Sequence, residues 1–332
     1  MRRRVWLAVA VAAALGTGAL GGPAAAGAAP QSGGEAPGTI RGRVIDRTAP
    51  AHTVAGQPVR LQIVERGTSS ERETRTDAAG AFAFAGLPVG GLRIFLVSTR
   101  YQGVPYEGGQ RILLTQETPV RDVPLAVYDA GADRRVLRGT LLFAVVDVVP
   151  GALRVTTVEQ VHNATDRAVV ATAADPLAFP LPRGAIAVQA LDGWRDPHTE
   201  DGRITDARAI PPGATQVTYA YQERPRGAAA LTWAPPFGAA RVEILVADAH
   251  LHVSGDALHA GSPVTASGRR YTHWSGGPVA AGETVALRIG GLPAGDDRWP
   301  GLLAAALAVV LGIGLAAALR RPPGAVRPPH PA

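Results

Sequence analysis

The chain has 332 residues and a formal net charge of +6, and it contains neither cysteine nor lysine. Without cysteine the chain has no disulfide, no thiol catalyst and no cysteine metal site, so any folded region must be stabilised by its own core. Three arginines near the N terminus and three near the C terminus account for the excess charge, which leaves the rest of the chain near neutral and without the basic stripe that a nucleic-acid partner would require.

The first 28 residues have the three parts of a secretory signal peptide. Residues 2–4 are arginines, residues 5–20 are apolar, and residues 26–28 read Ala-Gly-Ala, a small-x-small cleavage pattern. We predict cleavage near Ala28; the alternative is an uncleaved N-terminal anchor, and the body of the chain is exported in both cases. The heavy use of Ala, Gly, Pro and Arg indicates a bacterial source with a GC-rich genome. Residues 29–38 have the Gly, Pro and Ser content of a linker.

Short segments that alternate apolar and polar residues begin at Thr39. A period of two with β-branched residues and intervening turn residues predicts half-buried strands of a sandwich. Residues 77–80, Asp-Ala-Ala-Gly, are typical of a tight turn. The predicted strands are residues 40–45, 59–64, 73–76, 81–84 and 93–97.

The residues of this region resemble those of the carboxypeptidase regulatory-like family. The matching motifs, in chain order, are Gly42-x-Val44-x-Asp46, Pro58-Val59-x-Leu61 and Thr76-Asp77-x-x-Gly80-x-Phe82-x-Phe84-x-x-Leu87-Pro88-x-Gly90. The resemblance implies a transthyretin-like, seven-stranded sandwich over residues 39–128, with Phe82 and Phe84 in its core. It also implies a non-catalytic scaffold, of a fold akin to carbohydrate-binding modules of the starch-binding type. None of the eight histidines is followed by glutamate three residues later, so the zinc-ligand pair of the neighbouring peptidases is missing.

A second series of predicted strands runs from about residue 135 to residue 293. Turns rich in Pro, Gly and Asp separate the strands, and the length favours one large, immunoglobulin-like sandwich over two small ones. We therefore predict an all-β fold with two sandwiches. The predicted strands are residues 140–146, 153–161, 185–190, 216–221, 241–246 and 284–289.

His250 and His252 are the strongest candidates for a metal site. On a strand, residues two apart point to the same side, so both imidazoles could reach one ion. No third ligand is fixed by spacing, although His259 and His273 follow. The alternative is that the two are surface histidines on a strand beside Asp248.

Trp194 is the strongest candidate for ligand binding. It lies in the segment 191–198 among aspartate, arginine and histidine, and a loop tryptophan in such company could stack on a sugar ring. The alternative is a tryptophan packed over the edge of the sandwich, since large aromatic side chains are mostly buried.

No catalytic motif is present. The sequence has no Gly-x-Ser-x-Gly, no Ser-x-x-Lys, no phosphate-binding loop and no dinucleotide fingerprint. We therefore predict that the protein is not an enzyme, and no cofactor is implied.

A C-terminal apolar segment predicts a transmembrane helix. Residues 300–319 contain no charge and nearly match the roughly 20 residues that cross a bilayer. Trp299 suits the outer interface, and Arg320 and Arg321 suit the cytoplasmic one. Residues 320–332 then form a short cytoplasmic tail. The predicted topology is a single-pass protein of the cell membrane with its N terminus outside and its C terminus inside.

These features together predict an extracytoplasmic recognition or scaffolding protein of the bacterial cell surface. The membrane is one predicted partner, and a glycan or another surface protein is the class of ligand left open. Two alternatives remain at this point: a carbohydrate-binding protein, and a metal-handling protein that uses His250 and His252.

Overall fold

The computed structural model describes residues 37–292 apart from residues 110, 248 and 249. The predicted signal peptide (1–28), most of the linker (29–38), the predicted span (300–319) and the tail (320–332) lie outside the described residues. Within residues 37–292, no helix is long and apolar enough to cross a bilayer. The described chain is all-β, and its one helical element is the 3₁₀ turn Arg134–Val136.

The first region consists of two four-stranded sheets. In one sheet, β1 lies between β4 on one side and β7 and β8 on the other; the second sheet has the order β3-β2-β5-β6. The strands predicted at residues 40–45, 59–64, 81–84 and 93–97 are confirmed, and the one predicted at 73–76 overlaps the end of β3. The strands are β1 (Gly38–Asp46), β2 (Pro58–Glu65), β3 (Thr68–Arg75), β4 (Ala81–Leu87), β5 (Arg93–Tyr101), β6 (Val104–Glu107), β7 (Val120–Asp122) and β8 (Leu125–Val127).

The alternation of side chains along these strands builds an apolar core between the two sheets. On β1, Ile40 and Val44 are buried while Arg41 and Arg43 are exposed. Phe82 and Phe84 of β4 are likewise buried, with ring centroids 6.1 Å apart in an edge-to-face arrangement, and Leu61 and Phe95 meet them from the second sheet. Burying an apolar side chain of this size contributes about 1.5–3 kcal/mol to folding.

The second region has many more strands. They are β9 (Ala130–Gly131), β10 (Leu137–Val149), β11 (Ala152–Asn163), β12 (Ala168–Val170), β13 (Leu177–Pro180), β14 (Ile186–Asp192), β15 (His198–Glu200), β16 (Arg203–Asp206), β17 (Ala209–Ile210), β18 (Gly213–Glu223), β19 (Ala228–Trp233), β20 (Arg241–Ala247), β21 (His252–Ser254), β22 (Leu258–Ala260), β23 (Val264–Ala266), β24 (Arg269–Gly276) and β25 (Val285–Gly290). The six strands predicted from sequence correspond to β10, β11, β14, β18, β20 and β25.

One eight-stranded sheet dominates this region. Its order is β14-β18-β11-β10-β20-β24-β22, with β23 also paired to β24, and β10 runs parallel to β20 while its other neighbour, β11, is antiparallel. The three-stranded sheet β19-β25-β21 covers one face, so that Leu231 and Leu287 pack against Leu142, Val155 and Ile244 of the large sheet. Two further three-stranded sheets, β17-β12-β9 and β13-β16-β15, complete the region.

The two regions meet where β8 leads into β9. Strand β9 pairs in parallel with β12, so backbone hydrogen bonding links the segment that follows the first sandwich to the second region. Ala168 of β12 belongs to the core cluster of the first region, and Val170 and Ala209 pack against that cluster. The apolar core of the first region is therefore completed by residues of the second.

Candidate functional site

Trp194 lies at the edge of the large sheet between two parts of its core. The indole Nε1 donates a hydrogen bond to the carbonyl oxygen of Thr218 at 2.6 Å. The ring makes edge-to-face contacts with Phe179 and Tyr219, at centroid distances of 5.1 and 6.3 Å. This is the geometry of a tryptophan packed over the sandwich edge, and its N–H group already has a backbone partner.

The loop around Trp194 is held tightly to the sheet. Gly193 has a φ of +77°, and a Cβ atom at this position would lie 2.0 Å from the carbonyl oxygen of Gln216. On the other side of the tryptophan, the N–H groups of Arg195 and Asp196 donate to the buried carboxylate of Asp206 at 2.9 and 3.2 Å. The glycine therefore permits a close approach of two backbones that seats the indole.

His250 and His252 are both exposed near the C-terminal end of the second region. Strand β21 begins at His252, and His250 precedes it with a φ of +59°, so the two histidines do not share the strand that the sequence predicted. His259 is exposed on β22, and the Nε2 of His273 on β24 is hydrogen-bonded to Glu243. Among the described residues, which do not include Asp248 beside His250, no three histidine, aspartate or glutamate side chains come together as a metal site.

The joint between the regions contains a buried carboxylate that sequence analysis did not single out. Asp46, 1% exposed at the end of β1, accepts hydrogen bonds from the N–H groups of Thr48 and Ala49 at 2.9 and 3.1 Å. The Nδ1 of His52 lies 3.0 Å from its carboxylate, and the Tyr101 hydroxyl donates at 3.3 Å. Burial by itself would raise the pKa of Asp46, but these four hydrogen bonds outweigh burial and lower the pKa.

A second carboxylate, Asp129, connects the two regions directly. It accepts hydrogen bonds from the Nε2 of Gln102 at 2.6 Å in the first region and from the guanidinium of Arg167 at 3.3 Å in the second. Its backbone N–H donates to the hydroxyl of Thr48, and its carbonyl accepts from the N–H of Ala168. Side chain and backbone of one residue therefore bind both sides of the joint.

A different kind of acidic group is enclosed between the sheets of the second region. Glu159 of β11 is 5% exposed and accepts a hydrogen bond from the Tyr219 hydroxyl at 2.9 Å. Beside it, the indole Nε1 of Trp233 donates to the hydroxyl of Thr157 at 3.2 Å. Burial raises the pKa of Glu159 to about 7, although the Tyr219 bond opposes the shift. A carboxyl group that titrates near neutral pH therefore lies inside the core.

The opposite face of the large sheet also carries a buried carboxylate that is hydrogen-bonded to a tyrosine hydroxyl. Asp147 of β10 is buried and accepts a hydrogen bond from the Tyr271 hydroxyl at 3.2 Å, with the guanidinium of Arg269 at 3.6 Å. Burial raises its pKa in spite of both neighbours. On the same face as Glu159, burial raises the pKa of Glu223, at the end of β18, to about 7.

Two surface cavities involve the first region. The larger, of about 680 Å³, has a floor of Ala81 and Ala83 on β4 and is flanked by the exposed side chains of Arg41, Arg43 and Arg75. The smaller, of about 470 Å³, lies beside the second region, because Arg195 contributes to its lining and faces Glu107 at 3.8 Å. Neither cavity is lined by Glu159 or by the two candidate histidines.

The buried acidic residues can be recognised in the sequence, because each occupies an inward-facing position of a strand. Glu159 occupies the same alternating row of β11 as Leu153, Val155 and Val161, all of which are buried. A charged residue in the inward phase of an otherwise apolar row marks a buried titratable group. Asp46 stands in the same relation to Ile40 and Val44 on β1.

Comparisons with known proteins give little beyond this geometry. No family model and no curated protein matches the chain. Among solved structures, the chain is similar to an M1 zinc metallopeptidase from Deinococcus radiodurans, at 15% sequence identity and a TM-score of 0.31 over 48% of this chain. The similarity covers 43% of that peptidase. A likeness of this size carries no conclusion about activity.

Proposed function

We propose that the chain is a membrane-anchored bacterial protein whose extracytoplasmic part is a non-catalytic scaffold or recognition module. The observation that carries the proposal is the joint, where backbone pairing, a polar network around Asp129 and a completed apolar core unite the two regions. Interfaces between domains of one chain commonly permit relative motion. A joint built from all three kinds of contact suits a protein that presents surfaces in a fixed relative orientation.

For the first region we propose the carboxypeptidase regulatory-like, transthyretin-like sandwich over residues 39–128. Strand β1 pairs antiparallel with β4 and parallel with β7 and β8, which supports that topology. Phe82 and Phe84 fill the core, and Leu87-Pro88-x-Gly90 leads from β4 towards β5, as the resemblance implies. For residues 135–293 we propose a larger, immunoglobulin-like sandwich.

The membrane part of the proposal rests on sequence. A signal peptide at residues 1–28 and a span at residues 300–319, followed by Arg320 and Arg321, would place both sandwiches outside the cell membrane and the tail inside. Protease treatment of spheroplasts that carry the full chain with a C-terminal epitope tests this topology. We expect the sandwiches to be digested, while a fragment with the tail stays protected and resists extraction by alkaline carbonate. A tail digested from outside, or a chain released by carbonate, would refute the anchor.

The fixed joint can be measured because the chain has no cysteine of its own. Spin labels on Leu92→Cys, in the first region, and Ala228→Cys, in the second, occupy exposed positions. Pulsed electron resonance on the full chain in detergent is expected to give one narrow distance distribution. The variant Asp129→Asn, which loses the charged acceptor for Gln102 and Arg167, is expected to broaden it. A broad distribution in the parent chain would show a flexible tether and remove the support for a scaffold.

The two alternative functions make separate predictions. Metal handling through His250 and His252 requires stoichiometric copper or zinc that is lost in the His250→Ala, His252→Ala double variant. Turnover of a peptide or glycan substrate that vanishes with that metal would replace the non-catalytic proposal. Carbohydrate binding through Trp194 requires retention on glycan arrays that a Trp194→Phe variant loses, although the indole N–H is already bonded to Thr218.

A further inference from the structure

Several loops of the second region lie close together at the end of the region where the described residues stop. Strand β25 finishes there at Gly290, which pairs with Ala228 of β19 on one side and with His252 of β21 on the other. The N–H of Leu292 donates to the carbonyl oxygen of Gly227 at 3.2 Å, so the last described residue is bound to the segment before β19. We call this surface the C-terminal end; it comprises the turns 150–151 and 182–185 and the segments 223–228, 250–252 and 290–292.

The charge at the C-terminal end is distinctly basic. Arg224 and Arg226 are exposed in the segment between β18 and β19, and Arg183 is exposed in the turn that leads into β14, whose first residue pairs with Gln222. None of these three arginines forms an ion pair with a residue that the structure describes. His250 and His252 add two exposed imidazoles.

Some arginines elsewhere in the described chain have acidic partners, and others, such as the exposed Arg43 and Arg121, have none. Arg41 pairs with Asp122 at 2.8 Å, and Arg288, two residues before the end of β25, faces Asp256 at 3.3 Å. In the segments of the C-terminal end, Glu223 is the one acidic side chain among the described residues, and one of its carboxylate oxygens is buried. Three exposed guanidinium groups on one end, without an acidic partner in the part of the chain that the structure describes, suit a partner that supplies the counter-charge.

The position of the C-terminal end identifies that partner. Seven residues separate Leu292 from the predicted span at residue 300, a reach of at most about 25 Å. The segment itself carries Asp296 and Asp297 against Arg298, so it supplies no net positive charge. Any attraction to an anionic surface must therefore come from the folded end.

We propose that the C-terminal end is a docking face for the anionic phospholipid headgroups of the membrane that anchors the chain. Guanidinium groups bind phosphate through paired, charge-assisted hydrogen bonds, and three of them on one face provide a multivalent contact. The inference rests on the proposed membrane anchor and adds a function to the second region: it holds the scaffold at a set angle to the bilayer, so that the first region projects away.

The test uses the full chain reconstituted in vesicles and a fluorescent label on Ala228→Cys, next to Arg226. Vesicles contain phosphatidylcholine alone or with added phosphatidylglycerol, and a water-soluble quencher reports how exposed the label is. With phosphatidylglycerol we expect the label to be shielded at low salt and exposed at high salt. A label on Leu92→Cys, at a residue 87% exposed in the first region, is expected to stay accessible in both lipids.

Substitution of the three arginines tests whether the shielding depends on this face or only on the net charge of the protein. Each basic residue near an anionic surface favours the docked state by about fivefold, so the variant Arg183→Gln, Arg224→Gln, Arg226→Gln should lose the phosphatidylglycerol-dependent shielding. The matched control replaces three exposed arginines of the first region, Arg43, Arg111 and Arg121, by Gln and should retain it. Circular dichroism of each variant checks that the β-fold is intact.

The outcomes distinguish the inference from the proposed function. Equal exposure of the Ala228→Cys label in both lipids, with the chain still inserted, would overturn the docking face and leave the anchor standing. Shielding on phosphatidylcholine vesicles by soluble polyphosphate, to the extent seen with phosphatidylglycerol, would make the end a site for a soluble polyanion and also overturn the inference. A chain that fails to insert in either lipid would refute the anchor itself.

Discussion

Asp46 in the first region and Glu159 in the second are buried in opposite ways. In the first region Asp46 lies under a set of hydrogen-bond donors from its own turn, and its pKa is lowered. In the second region Glu159 accepts a hydrogen bond from one tyrosine hydroxyl in an apolar core, and its pKa is raised to about 7. Burial alone therefore does not set the pKa of a carboxyl group; the number of hydrogen-bond donors to its charged form decides whether the pKa is raised or lowered.

The largest expected effect tests whether the two regions unfold together or independently. Phe95→Ala empties a fully buried position in the first region and should cost about 3–5 kcal/mol of unfolding free energy. Every tryptophan within residues 37–292 lies in the second region. We therefore expect tryptophan fluorescence, with Trp6 and Trp299 replaced by Phe, to report the loss during denaturant unfolding. Leu92→Ala, at an exposed site, is the control, and an unchanged fluorescence midpoint for Phe95→Ala would mean that the regions unfold separately.

Glu159→Gln tests whether burial of this carboxyl group makes stability depend on pH in the second region. Because the pKa of Glu159 is raised from 4.5 to about 7 in the folded protein, the folded state holds its proton more tightly than the unfolded state does. Stability should be full below about pH 4.5 and decline as the pH rises to about 7, by about 3 kcal/mol in all. The Gln side chain can still accept from Tyr219, so the variant should lose this decline and exceed the parent in stability at pH 8.

Urea unfolding at pH 5 and pH 8 measures the effect of Glu159→Gln. Glu243→Gln, at a half-buried glutamate on the opposite face of the large sheet, serves as a control for changing a carboxyl group in the same region. Equal pH slopes for the parent and Glu159→Gln would show that Glu159 is ionised in the fold at no cost.

Asp46→Asn tests the opposite sign in the first region. Its folded pKa is depressed, so its contribution is present above the ordinary aspartate pKa and is lost as the pH falls through the folded pKa. At pH 7 we expect the variant to lose about 1.5–3 kcal/mol, the range for hydrogen bonds to a charged group. At pH 3, below the ordinary aspartate pKa, the difference between the parent and the variant should be smaller. Thermal unfolding at both pH values checks this, and a penalty that is equal at both would assign Asp46 a purely steric role.

The smallest effect is expected at the surface of the first region. Arg41 and Asp122 form an ion pair at 2.8 Å, but both side chains are well over half exposed. Exposed pairs contribute little to stability because solvent and salt screen them, so Arg41→Gln should shift the denaturation midpoint slightly, and less at high salt. A shift as large as that of Asp46→Asn would contradict the view that an exposed ion pair contributes less to stability than a buried, hydrogen-bonded carboxylate.

The predicted strands agree with the structure where one face of the strand is buried and the other is exposed to solvent. The segments around Ile40, Leu61 and Phe82 alternate cleanly and became β1, β2 and β4. Short strands such as β12 and β17, of three and two residues, carry too few residues for a period to register. They were missed for that reason, although β12 forms half of the joint.

The surroundings of the candidate site residues could not be predicted from short segments, because the neighbours of a residue come from distant parts of the chain. His250 and His252 were paired on the assumption of a strand, but the chain at His250 adopts a left-handed conformation and β21 begins only at His252. The surroundings of Trp194 likewise depend on Phe179 and Tyr219, which are 15 and 25 positions away in the chain.

The all-β class, the main strands and the inward phase of their side chains can be predicted from the sequence, because these depend on a period of two along one segment. The position of β10 between β11 and the distant β20, the contacts of Asp129 with both regions, and the place of Arg183 at the same end as Arg224 and Arg226 become visible only in the folded chain. Such contacts depend on the free energy of pairing whole strands and of closing long loops, which cannot be predicted from the sequence of a short segment.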